Sequence, residues 1–105
     1  MTFREQVYEI VKQIPRGQVT NYGTVALMMG NPRASRQVGF ALRALTTAEH
    51  EVPWWRVVNK KGYISIDHGH GGAEKSLQKQ ILEEEGIEIS DDLVIDMAKY
   101  GWYGG

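Results

Sequence analysis

The sequence predicts a mainly α domain with one small β hairpin. Three observations carry this. Apolar residues recur at helical spacing in four separate stretches, most of them ended by Gly or Pro. One stretch, Arg56 to Ile66, instead reads as two short extended runs about Lys60-Lys61-Gly62. The chain of 105 residues leaves room for a single domain, taken as residues 1–105.

The first helix is expected over residues 3 to 14. Thr2 and Glu5 have the spacing of a capping box, Phe3, Val7, Ile10, Val11 and Ile14 share one face, and Pro15 and Gly17 end it. A second helix, about Tyr22 to Met29, can be capped by Thr20 and stopped by Gly30, with Val25, Ala26 and Met29 inward. Asn31 as N-cap and Pro32 at the first position predict a third helix to about Leu45, burying Ala34, Val38, Ala41, Leu42 and Leu45. Two short helices across a tight Gly-Asn turn make a helix-turn-helix, and the hairpin after Pro53 makes a wing beside it. A last helix from Ala73 to Glu85 turns Leu77, Ile81 and Leu82 inward and ends at Gly86. Ile87 and Ile89 continue extended, and the tail Tyr100, Trp102, Tyr103 packs back on the domain.

The net charge of -1 conceals two opposed halves. From Ile10 to Ile66 eight bases face two acids, for +6; from Asp67 onward three bases face nine acids, for -6. The basic half has no acid between Glu9 and Glu49, the footprint of a polyanion partner. On the third helix Arg33, Arg36, Gln37, Phe40 and Arg43 share a side, and the small residues Ala34, Ser35 and Gly39 thin the surface for a narrow groove. Gly39 can equally serve to admit a neighbouring helix, at about 1 kcal/mol against Ala.

Other chemistries find no support. Without cysteine there is no disulfide, thiolate metal site or sulfur nucleophile. His50, His68 and His70 lack the partners of a zinc site, so neither metal nor cofactor is expected. No apolar run approaches the roughly 20 residues of a membrane span, and the first residues lack the apolar core of a signal peptide. The expected setting is the cytoplasm, or the nucleus in a eukaryote, with the protein a monomer on its polyanion partner.

The run Val52-Pro53-Trp54-Trp55-Arg56-Val57-Val58-Asn59 resembles the active-site signature Pro-Cys-His-Arg-Val of the O6-alkylguanine-DNA alkyltransferases, with Cys and His both replaced. Ile14-Pro15-Arg16-Gly17-Gln18-Val19, Tyr22-Gly23, the run from Asn31 to Gly39, and Leu82-Glu83-Glu84-Glu85-Gly86 match that family in order and spacing. With Trp at the nucleophile position, the chain is most similar to the alkyltransferase-like proteins, which bind O6-alkylguanine without repairing it and present it to nucleotide excision repair.

The resemblance implies a winged helix-turn-helix like the alkyltransferase DNA-binding domain, entering the minor groove of double-stranded DNA. It makes Tyr22, Arg33, Ala34, Ser35, Arg36, Gly39 and Arg43 the DNA-binding residues, with Tyr22 helping to rotate the nucleotide out and Arg36 as the finger that fills the vacated stack. Tyr22, Pro53, Trp54, Val57, Ser65 and Asp67 would line the pocket for the flipped base. Asp67 stands where these proteins often carry a base, and the Asn that alkyltransferases have before the signature is absent from 45–51. Trp54 offers an apolar face and one N–H donor but cannot accept an alkyl group, so no catalytic residue is expected. Trp55 replaces the relay histidine and should face the interior, Arg56 should be a structural hydrogen-bond hub, and Glu85 should be structural. Two other classes compete with this reading: a winged-helix regulator recognising one undamaged sequence, and a hydrolase using Glu85 and water, for which no paired base, metal or oxyanion site is visible.

Overall fold

In the computed structural model, residues 1–45, 51–64 and 73–104 are described. Within them the elements follow in the order α1 (Phe3–Val11), β1 (Thr20–Asn21), α2 (Tyr22–Met28), α3 (Ser35–Arg43), a single 3-10 turn (Trp54–Arg56), β2 (Val57–Val58), α4 (Ala73–Glu84) and α5 (Met97–Tyr100). The predicted class, mainly helical with a small sheet, is the one observed.

Helix α1 starts as its capping box dictates: Thr2 Oγ1 accepts from the Glu5 N–H at 3.1 Å and Glu5 Oε1 from the Thr2 N–H at 3.2 Å. Such a cap is worth about 1 kcal/mol. The helix closes at Val11, short of the expected Ile14, and Phe3 stays partly exposed while Val7 and Val11 are buried. Helix α2 is capped by Asn21, whose Oδ1 accepts from the Thr24 N–H at 2.8 Å, and not by Thr20. Thr20 is instead taken up by the sheet, where β1 and β2 pair in parallel with Thr20 opposite Val57 and Asn21 opposite Val58.

Helix α3 begins at Ser35, later than Asn31. Asn31-Pro32-Arg33 forms a turn closed by the Ala34 N–H on the Asn31 carbonyl at 3.0 Å, so Arg33 precedes the helix. Of the expected wing, the structure describes the chain as far as Ile64. Asn59 Oδ1 accepts from the N–H groups of Lys61 and Tyr63, which makes the tight turn. The returning chain then pairs with the segment around Leu93 to Ile95: the Ile64 N–H donates to the Leu93 carbonyl and the Ile95 N–H to the Gly62 carbonyl, both at 2.9 Å. The Asn59 N–H also donates to the Tyr63 carbonyl at 3.1 Å, and on its other side β2 pairs with β1. Gly62 is required here: its φ is +85°, and a Cβ would run into the Ile95 carbonyl oxygen.

Two apolar clusters result. The first joins α1, α2 and α3 through Val7, Val11, Val25, Val38, Leu42 and Val57, closed by Trp102. The second gathers Val19, Val58, Ile64, Leu82, Ile87 and Ile95. The aromatic tail does pack back: the Trp102 N–H donates to the Val19 carbonyl at 2.7 Å, and Trp102 is buried while Tyr103 stays exposed. In α4 Leu82 is buried and Ile81 half-buried, as expected, but the first inward position differs. Leu77 is 48% exposed and Gln78 is fully buried.

Candidate nucleic-acid interface

Tyr22 opens α2, immediately after its cap, and Gly39 sits one turn into α3. The close approach of these two helices leaves an open groove of about 440 Å³ lined by Tyr22, Ser35, Arg36, Gly39, Phe40 and Arg43. Five of the seven DNA-binding residues expected from sequence thus meet in one depression. Arg33, in the turn before α3, is exposed but does not line it. Ala34 turns its methyl group into the core at 3% exposure, because the late start of α3 makes it the N-cap at the core's edge. Its N–H and carbonyl are both taken up within the protein, by the Asn31 carbonyl and the Val38 N–H.

Gly39 decides between two readings. A Cβ built there would meet the Tyr22 ring at 3.9 Å, ordinary van der Waals contact. Packing of α2 on α3 therefore does not demand glycine, and what the missing side chain does is hollow the groove. Phe40, which sequence reasoning placed on this face but not among the site residues, is 55% exposed, with the Arg43 guanidinium 5.7 Å from its ring centre. An exposed aromatic amid arginines was its signal. Among the described residues, neither Arg33 nor Arg36 is engaged in a hydrogen bond or ion pair, so both charges are available to a partner.

The signature turn lies beside this helical pair. Trp54 is half-buried and packs against the first cluster, and Pro53 is buried. Val57, expected in the pocket, is fully buried in the first cluster, where it lies opposite Thr20 in the sheet. Ser65 and Asp67, the remaining expected pocket residues, lie outside the described residues, as does the stretch 46–50.

Behind the turn sits a compact polar knot. Glu85, its side chain only 2% exposed, accepts from Arg56 Nη2 at 2.9 Å, from Arg56 Nε at 3.1 and 3.2 Å, from the Trp55 indole N–H at 2.8 Å and from the Gly17 N–H at 2.9 Å. Arg56 Nη1 reaches the Ile14 carbonyl at 2.9 Å. The expectations for Arg56 and Glu85 as structural groups agree with this geometry. Burial pushes the Glu85 carboxyl up, but the Arg56 hydrogen bonds, the Gly17 N–H, the Trp55 N–H and the Arg56 charge outweigh it, so it titrates below its ordinary value. Gln78 adds a tie that the sequence did not reveal: its Nε2 donates to the carbonyls of Trp55 at 2.9 Å and Val57 at 3.2 Å. Two buried carbonyls of an irregular turn need a donor, and α4 rotates a Gln rather than Leu77 inward to supply it.

A basic, hollowed helical groove beside a turn carrying a half-buried tryptophan suits a DNA-binding domain. Residues 2–87 match the family described as "6-O-methylguanine DNA methyltransferase, DNA binding domain", and the chain belongs to that family. It is 43% identical over 101 residues to the DNA base-flipping protein of Escherichia coli, covering 96% of this chain and 74% of that protein. It is 39% identical over 104 residues to alkyltransferase-like protein 1 of Schizosaccharomyces pombe, covering 95% and 94%. The crystal structure of that yeast protein in complex with damaged DNA containing O6-carboxymethylguanine superposes with a TM-score of 0.86 at 38% identity, over 97% of this chain and 95% of that one.

Proposed function

We propose that this protein binds double-stranded DNA through the α2–α3 groove, extrudes O6-alkylguanine from the duplex and holds it without chemistry, marking the lesion for nucleotide excision repair. The observation that carries the reading is Trp54: it stands between Pro53 and the Arg56 knot where an alkyltransferase has its cysteine, in a chain that has no cysteine at all. An indole has neither a free lone pair nor a titratable proton to offer an alkyl acceptor. A lesion that is bound but not dealkylated remains for another system to excise, which is the argument for excision-repair proteins as partners.

In this mechanism the guanidinium groups of Arg33, Arg36 and Arg43 neutralise phosphate and the hollow at Gly39 lets α3 sink into the minor groove. Groove edges there distinguish bases poorly, so a searcher for rare lesions tolerates any sequence. Tyr22 crowds the phosphate of the target nucleotide, Arg36 occupies the gap left in the stack, and the Trp54 face receives the extruded base. Extrusion costs a few kcal/mol, which stacking and base-edge contacts must recover. The relatives named for base flipping, and the yeast structure on damaged DNA, support this assignment.

Titration with matched duplexes, one unmodified and one carrying O6-methylguanine, tests it. Tighter binding of the alkylated duplex, with quenching of Trp fluorescence, is expected. Equal affinities would remove lesion sensing and leave a general DNA-binding domain.

A further inference from the structure

We propose that Trp55 is a positioning residue for base recognition: its indole, pinned by its N–H to Glu85, braces Trp54 edge-on and keeps that ring in one orientation. The proposal rests on Trp54 being the wall that meets the extruded base.

Trp55 is held at three points. Its ring edge donates to Glu85 Oε2 at 2.8 Å. Its ring face lies against the Arg56 guanidinium, 5.7 Å from the ring centre, and its carbonyl accepts from Gln78 Nε2 at 2.9 Å. Each of these anchors is itself fixed. Arg56 is tied to the Ile14 carbonyl, Glu85 to the Gly17 N–H, and Gln78 to the Val57 carbonyl. Trp55 packs on the second apolar cluster, whereas Trp54 packs on the first. The two rings meet with centroids 5.9 Å apart and planes at 81°, an edge-to-face contact. The brace therefore crosses from one cluster to the other.

Trp54 gains from this contact because the 3-10 turn that carries it is one turn long and the residue is half-buried. A wall free to rotate must be ordered each time a base arrives, and that ordering is subtracted from affinity; a braced wall is ordered beforehand. The indole also suits the place chemically. It supplies one N–H to a buried carboxylate and has no proton that titrates near neutrality, so the brace holds whatever the ionisation of its surroundings between mildly acid and mildly basic pH. A histidine there would instead change charge in that range.

Trp55→Phe keeps a ring and removes the donor. Indole ¹⁵N relaxation on the free protein reads the brace directly, with buried Trp102 as internal reference for an intact fold. The expected result is a lower order parameter for the Trp54 indole and an unchanged one for Trp102. On DNA, affinity for the O6-methylguanine duplex should fall roughly three- to tenfold more than affinity for the matched unmodified duplex. Trp55→His, which returns an N–H donor toward Glu85, should recover most of that ratio at neutral pH. If Trp55→Phe does not fold, Trp55→Met takes its place as the donorless variant. A Trp54 indole as ordered in the donorless variant as in the parent, or equal losses on both duplexes, would overturn the proposal. A parent protein that does not discriminate the two duplexes would sink the lesion-sensing reading, while Trp54 order in the free protein would still judge the brace.

Discussion

Arg36 and Arg56 carry the same guanidinium group into two different surroundings. On α3, Arg36 borders the open groove with no ion pair among the described residues. Behind the signature turn, the Arg56 side chain is 15% exposed and is consumed by Glu85 and the Ile14 carbonyl. The first is a charge left available for a partner; the second is a charge whose partner is the protein itself. Positive charge in the basic half of the sequence therefore divides into binding and holding, and only packing assigns each arginine. The two tryptophans beside Arg56 also divide: Trp54 packs on the first apolar cluster, and Trp55 is tied into the knot.

The largest effect that sharpens this contrast is ionic. If the groove arginines dock on about four to six phosphates, log K should fall against log salt with a slope of roughly -4 to -5, a loss of several hundredfold between 50 and 200 mM. Equilibrium titration at three or more salt concentrations measures it, and a flat dependence would show that the α3 arginines do not touch phosphate. The unfolding midpoint in urea should hardly respond to the same salt range, because the Arg56–Glu85 pair is screened little by solvent.

Removing the buried member comes next. Arg56→Ala leaves the Glu85 carboxylate enclosed without its cation, and loss of one partner of such a pair costs about 3 kcal/mol or more. Urea unfolding monitored by far-ultraviolet circular dichroism should show it. A stability change under about 1 kcal/mol would mean that Arg56 belongs with the available arginines after all.

Arg36→Ala should do the reverse. Stability should stay within about 0.5 kcal/mol of the parent, as expected for an exposed position. Affinity for a lesion duplex should fall about tenfold, or 1.4 kcal/mol, and 2-aminopurine fluorescence at saturating protein should show less extrusion. Equal extrusion by mutant and parent would withdraw the finger assignment.

The smallest expected effect is on acid stability. Glu85 titrates in the folded chain below its ordinary value of 4.5. Its ionised form therefore stabilises the fold fully above pH 4.5, and this contribution is lost as pH falls through the lowered folded value. The urea midpoint of the parent should drop more steeply below pH 4.5 than that of Glu85→Gln. Parallel curves would place the acid sensitivity elsewhere.

Periodicity and capping chemistry revealed the four longer helices, though not all their ends, because these signals are local: the Thr2–Glu5 box, the Gly30 stop and the stripe of Val38 and Leu42 need only neighbours in sequence. The co-linear run from Pro53 to Asn59 likewise marked the site before any coordinates, and the missing cysteine excluded thiol chemistry outright. Long-range partners decided the rest. Thr20 can cap a helix or enter a sheet, and only β2 brings the Val57 backbone that draws it into the sheet. Leu77 is the better apolar residue, yet Gln78 is buried because two unpaired carbonyls of the signature turn lie under α4. Val57 reads as a pocket residue by its place in the motif and becomes core by its place in the strand. Trp54 and Trp55 are adjacent and identical, and only their places in the Pro53–Val57 motif tell them apart in the sequence. What the structure adds is the partner of each: Trp54 packs on the first cluster, while Trp55 packs on the second and donates to Glu85, thirty residues further along.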